Sequence, residues 1–428
     1  MLYENWLQTA SLNIKTAYCP PLKRDVTSDC LVIGGGIAGL HAAFRLANAG
    51  KEVILLEKTM CGGSSSGQSG GFLTPESEED IKKLIKRYGR KRAGIIYNIP
   101  LSGVNMIVST IKDYNFNCDL RKQDSLYLSI KPSHNDKIEE EAETRKEMNL
   151  PYELLDKNEL EKIHPGGYIL GLKYSGSYGM NSLSYVKEMK NLLLKKGVKI
   201  YESSEVNTIE GNTVKTHLGS VKADNIILCI DKMKKEIHQE VSKKYYHVQT
   251  FLSISEPLTN EEMNTLFPKQ EVMCWDTKWN YTHYRPVVGN RILIGGSSVL
   301  TSYYSKYYHS PTIINRSINQ LKKRFPIIKD AKFTHYWAGL IDVTKDLVPI
   351  VDYDNKNKSM QYVMGCAGLN WAAFCGDYAA RRILDPKNTE DLTEFLGLNR
   401  KYFLPDFFQN IFGKKITFAI SHIRELIR

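Results

Sequence analysis

The sequence predicts an α/β fold, α+β over the whole chain, and three observations carry that expectation. Short apolar runs that end at or near glycine or a polar turn recur at residues 29–34, 223–230 and 361–365 of the 428. Runs of this length and content read as strands buried on both faces, the habit of parallel sheets. Helical periodicity follows the first over residues 37–49 and the last over 371–384, while residues 245–296 alternate apolar and polar side chains as antiparallel strands do. The simplest arrangement is a Rossmann-like domain interrupted by a discontinuous antiparallel-sheet domain. The expected division gives 1–88, 172–246 and 335–428 to the first, and 89–171 and 247–334 to the second.

The elements follow in order. The helix over 37–49 stops at Gly50, and residues 52–57 form a second buried strand, which completes a βαβ unit. Residues 76–148 are mostly charged helix, broken by a strand-like stretch at 125–130. An amphipathic helix over 182–196 leads into a strand at 198–202 and a turn at Gly211-Asn212. A further helix is expected over 311–325.

Composition narrows the class. At 42% hydrophobic and 25% charged, the chain reads as an ordinary globular protein. Its amino terminus lacks the apolar core of a secretory signal, and no apolar run approaches the roughly 20 residues that span a bilayer. The eight cysteines are scattered singly, without CxxC spacing, which implies reduced thiols, no metal site and a cytoplasmic setting. The formal net charge of +11 is spread along helices with no nucleic-acid motif beside it, so a solvated basic surface is expected and no nucleic-acid partner. The basic, amphipathic segment from Phe407 to Ile427 suits packing on its own domain better than contact with a membrane.

Gly34-x-Gly36-x-x-Gly39 has the spacing of a dinucleotide fingerprint. Gly34 permits the tight turn, Gly36 lets backbone approach a pyrophosphate, and Gly39 allows helix to pack closely on strand. The helix opening at Ile37 and Ala38 offers free N–H groups and a favourable dipole to the anion. Glu57, twenty-one residues after Gly36, stands at a strand end within reach of ribose hydroxyls. Two further small-residue stretches favour FAD over a nicotinamide cofactor. One is Ser64 to Gly71, whose missing side chains let backbone reach a bulky ring. The other is Gly365 to Trp371, which opens a late helix toward a polar or anionic edge.

The order of several blocks then becomes specific: Trp6 and Pro20-Pro21-Leu22, Ser65-Ser66-Gly67-Gln68-Ser69-Gly70-Gly71, Met180-Asn181-Ser182-Leu183, His283-Tyr284-Arg285, Gly295-Gly296 and Trp337-Ala338-Gly339-Leu340. Over nearly its whole length the chain resembles the glycine oxidase / D-amino-acid oxidase-like superfamily of FAD-dependent oxidoreductases, and within it the gamma-glutamylputrescine oxidase-like branch. The resemblance implies that Glu57 and Lys58 hold the adenosine ribose, that Ser65 to Phe72 passes the flavin, and that Val206 bonds the adenine through its backbone. It implies that Gly368, Leu369, Asn370 and Trp371 meet the pyrimidine end of the flavin. The first of the two domains is then the FAD-binding domain and the second the substrate domain.

Departures from the family pattern add detail. Gly339 stands where sarcosine oxidases carry a flavin-linking cysteine, so the FAD is expected to be non-covalent. Ile341 stands where amino-acid oxidases carry the arginine that clamps a substrate carboxylate, which disfavours a simple α-amino acid. Leu293 replaces the lysine that promotes reaction with oxygen. The expected reaction is oxidation of the C–N bond of a small-molecule amine, with Tyr281, His283, Arg285 and Asp342 as candidates for the substrate cavity. A flavin-dependent hydroxy-acid dehydrogenase and a non-catalytic flavin-binding protein stay open as alternatives.

Overall fold

A computed structural model of the chain describes residues 1–77, 80–233, 237–277, 281–302 and 308–400, with 402, 409, 411–413 and 416 besides. The first apolar run becomes the strand Val26–Ile33, whose last four residues are at most 4% exposed. It pairs in parallel with Val53–Leu56 on one side and with Ser220–Leu228 on the other. Lys199–Tyr201 extends the sheet beyond Val53–Leu56, and Met360–Met364 extends it in parallel beyond Ser220–Leu228. A hairpin at 208–215 and the antiparallel strand Ile350–Tyr353 complete eight strands. The helices Ile37–Asn48, Ser182–Lys195 and Leu369–Leu384 pack with this sheet through a shared apolar cluster that includes Val32, Leu40, Tyr185, Met189 and Tyr378. Burial of both faces explains why these strands read as unbroken apolar runs.

The second sheet has nine strands among the described residues. In it Tyr245–Ser255 pairs antiparallel with Arg291–Ser302 and with Phe333–Thr344. His283–Val287 follows beside Arg291–Ser302. The alternating stretch at 245–296 is not one antiparallel run, however. A helix at Asn260–Leu266 interrupts it, closed by a capping box between Thr259 and Glu262, and Val272–Asp276 pairs in parallel with Asp124–Ser129. The Thr-x-x-Glu signature was present in the sequence but was outweighed by the alternation around it.

The domain boundary expected at 335 falls inside the strand Phe333–Thr344, which lies wholly in the large sheet. The amino-terminal arm also joins this sheet, with Leu2 and Tyr3 paired to His335 and Tyr336. Trp6 and Leu7 pack there against Leu252, Leu293 and Trp337. Among the described residues, one helix, Arg90–Asp113, is long and apolar enough to cross a membrane, against the expectation that no apolar run approaches that length. More than half of its most apolar window, 56%, is buried, and residues such as Ile96, Ile107 and Ile111 sit in the main core. It is a core helix by its packing. The segment Phe407–Ile427 lies outside the described residues apart from Gln409, Ile411–Gly413 and Ile416.

Candidate cofactor and active site

The βαβ unit builds the site directly. Gly34 ends the first strand at φ +111°, and any side chain there would strike the Cys229 carbonyl. A side chain at Gly39 would strike the Gly34 carbonyl, so helix and strand meet at backbone distance. Gly36 is the N-cap of Ile37–Asn48 and supplies no capping side chain. A Cβ at Gly36 would meet only the Ser66 hydroxyl, 3.0 Å away, so this glycine leaves a cradle at the helix start. Glu57 closes the turn: its carboxylate accepts the Gly35 amide at 2.8 Å and the Thr59 amide at 2.9 Å.

One cavity runs from this turn. Gly34, Gly36, Ile37 and Ala38 line one end, with Glu57, Lys58 and Val206 beside them. Ser65 and Ser66 form a wall, and Gly365, Cys366, Ile341 and Asp342 extend the lining. The other expected cofactor residues are not among those that line it. Gly67 packs against the Gly62 backbone, and Gly339 lies in the strand Phe333–Thr344 with only the Thr250 hydroxyl near its missing Cβ. Gly368, at φ +113°, opens Leu369–Leu384 without a capping side chain. Asn370 ties that helix to the Thr74 carbonyl at 2.7 Å. Trp371 is 1% exposed, and its indole N–H is buried without a partner. A glycine cradle at a helix start where Ser66 Oγ accepts the Ile37 amide at 3.1 Å, an acid at the strand end and an orphaned indole donor are the features that an adenine dinucleotide with a polar ring would fill.

The sequence reading missed Asp231 and Lys232, which also line the cavity. Lys232 has φ +59°, and its ammonium donates to Asp231 at 2.5 Å, to Ser64 Oγ at 2.9 Å and to the Leu340 carbonyl at 3.0 Å. Burial alone would raise the Asp231 pKa, but the Lys232 charge holds it below the usual range. Position was the available signal: both residues directly follow a buried parallel strand, at the carboxyl edge where ligands bind in open α/β sheets.

The four substrate-side candidates separate. His283 and Phe72 meet edge to face at 5.2 Å, with Tyr281 at 5.6 Å from the same imidazole and 38% exposed. His283 Nδ1 is buried without a partner, and burial lowers its pKa to about 4, which leaves the ring neutral near pH 7. Asp342 does line the cavity, but both of its oxygens are engaged, one by the Lys232 amide at 2.6 Å and one by His247 Nδ1 at 2.5 Å. Burial and the neighbouring Asp231 push its pKa up to about 6. Arg285, a candidate for the substrate cavity, is instead engaged by the protein. It is 1% exposed, and its guanidinium donates to the Gly70 carbonyl at 2.9 Å and the Met180 carbonyl at 2.6 Å. Alternation placed it on the face of Tyr281 and His283, but the side chain is long enough to turn into the adjacent loop.

The fold and this cleft define a flavin-type dinucleotide enzyme, and comparison with known proteins gives the family. The FAD dependent oxidoreductase (DAO) family matches residues 29–382, and the chain belongs to it. It is an FAD-dependent oxidoreductase, and FAD is its cofactor. It is 32% identical over 343 residues to the probable oxidoreductase OrdL of Haemophilus influenzae, covering 77% of each chain. It is 28% identical to the gamma-glutamylputrescine oxidoreductase of Escherichia coli, covering 84% of this chain and 83% of that one. Among solved structures, glycine oxidase from Geobacillus kaustophilus superposes with a TM-score of 0.76 at 17% identity, over 88% of this chain and 99% of that one. At that identity the likeness establishes the fold.

Proposed function

We propose that this protein oxidises the C–N bond of a small-molecule amine rather than that of a simple α-amino acid. One observation carries the reading: Ile341 lines the cofactor cavity, while Arg285, three strands away in the same sheet, is turned into protein carbonyls. An isoleucine offers a carboxylate nothing, and an arginine already engaged in its own loop cannot form the bidentate pair that would orient one. Gamma-glutamylputrescine, for which the Escherichia coli relative is named, is a substrate of the proposed kind.

Bound FAD supplies the two-electron acceptor for a hydride leaving the amine α-carbon. The protein's part is to hold a neutral amine. His283 is neutral near pH 7 with a buried nitrogen free of protein partners, suited to accept a hydrogen bond from the substrate nitrogen. Phe72 packs edge to face on the same ring, with Tyr281 beside it. The imine product leaves with two fewer hydrogens and is hydrolysed by water to a carbonyl compound and ammonia, or an amine where the substrate nitrogen is substituted.

The FAD is held without a covalent bond, because residues 64–72 contain no histidine or cysteine and position 339 is glycine. Flavin retained on the denatured chain would overturn this point. Substrate class is tested by mixing the oxidised enzyme anaerobically with amines, polyamine conjugates, N-methyl amino acids and D-amino acids while following loss of flavin absorbance. Bleaching by amines is expected, and faster bleaching by plain D-amino acids would overturn the reading.

A further inference from the structure

We propose that Arg285 is a positioning residue for the cofactor, the central member of a clamp that holds the 64–72 loop in its FAD-binding shape. Five consecutive carbonyls of this loop are each taken by a donor from outside it. Asn5 Nδ2 donates to Gly67 O at 2.9 Å, Trp337 Nε1 to Gln68 O at 3.0 Å and Ser182 Oγ to Ser69 O at 3.0 Å. Arg285 Nε donates to Gly70 O at 2.9 Å, and the Met180 amide to Gly71 O at 3.0 Å. Arg285 also grips the Met180 carbonyl, so it joins the loop to the segment that carries the fifth donor.

The chemistry of the clamp has a direct consequence for backbone direction. A trans peptide is planar, with its C=O and N–H on opposite sides. When the carbonyls of Gln68 and Ser69 turn toward protein donors, the amides of Ser69 and Gly70 turn the other way. Among the described residues, neither of these two amides has an acceptor. Backbone donors left open in a row, in a loop held at five consecutive carbonyls, are a preorganised site for the acceptors on a flavin's polar edge.

Arg285 is poorly explained as a simple structural ion pair. Its hydrogen-bond partners are the carbonyls of Gly70, Met180 and Pro286 and the Gln123 side-chain oxygen, none of them a carboxylate. Burying a guanidinium that way is costly, and burial lowers its pKa to about 10. The loop makes room for it: a side chain at Gly71 would collide with the Met180 carbonyl and crowd Arg285, and one at Gly179 would collide with the guanidinium and with Gln123.

The inference rests on FAD being the cofactor, and the test separates the two. Holoenzyme of the parent, Arg285→Met, Arg285→Lys and Trp337→Phe is diluted, and FAD release is followed by the rise in flavin fluorescence. The unfolding midpoint of the FAD-stripped chain and the visible flavin spectrum are recorded alongside. Arg285→Met is expected to release FAD about tenfold faster, which is the loss of one charge-assisted donor pair. Arg285→Lys should recover part of that, and Trp337→Phe, which loses one neutral donor, should release about threefold faster. A shifted flavin spectrum should accompany the faster release. Parental release rates in Trp337→Phe and in whichever Arg285 variant folds would overturn the proposal. A parent chain purified without flavin would count against the cofactor itself.

Discussion

Asp346 and Arg400 meet in the core as a two-point pair, Oδ1 to Nη2 at 2.7 Å and Oδ2 to Nε at 3.1 Å, with both side chains at most 6% exposed. Asp346 also takes the Thr344 hydroxyl at 2.9 Å and Arg87 at 2.8 Å, so it stabilises the turn after Phe333–Thr344 as well as joining three distant stretches of chain. Burial alone would raise its pKa, but Arg400 holds it down to about 2. Asp346→Ala leaves Arg400 buried and unpaired and is expected to cost about 3–5 kcal/mol in urea unfolding. A loss under about 1 kcal/mol would show the pair to be dispensable.

Acid should destabilise the fold through its buried histidines. His41 and His164 are 3% and 0% exposed, and burial lowers the pKa of each to about 4. The unfolded chain therefore takes up these protons first, and stability falls as pH drops from about 6.5 toward 4. At pH 5 the loss is up to about 2 kcal/mol per histidine. His41→Gln should flatten the slope of unfolding free energy against pH between 7 and 5, whatever it does to stability at pH 7. An unchanged slope would contradict the assignment.

FAD affinity should depend sharply on the first turn. Gly39→Ala forces a methyl into the Gly34 carbonyl and is expected to yield a folded or partly folded chain without flavin. Glu57→Ala removes the acceptor of the Gly35 amide and the acid implied to hold the ribose, and should weaken FAD binding about tenfold or more. Titration of the stripped chain with FAD measures both. Retention of flavin by Gly39→Ala would mean that helix and strand can move apart here.

Ile341→Arg places a guanidinium at the cavity wall. If this position sets the substrate class, the variant should gain flavin reduction by α-amino acids and lose reduction by amines that lack a carboxylate. Parallel anaerobic bleaching rates give the ratio, and a ratio equal to the parent's would move the specificity element elsewhere.

The glycine turn and the acid that line the cavity were legible in the sequence. Local chemistry fixes them: glycine where φ is positive or backbones touch, as at Gly34 and Gly39, and an acid one strand further on at Glu57. The substrate half was not. Alternation along His283–Val287 states which way a side chain leaves the backbone, but not where a long arginine ends, and Arg285 ends in the flavin loop.

Sequence by itself determined the βαβ unit, the dinucleotide turn and the family blocks, because short-range sterics and burial leave a mark at each position. Only the tertiary structure decided that Phe333–Thr344 belongs to the large sheet, that Lys232 and Asp231 face the cavity, and that Asn5, Ser182, Arg285 and Trp337 converge on one loop. Those donors lie between 62 and 269 residues from the carbonyls they hold. Contacts at such separations come from packing, and no local pattern encodes them.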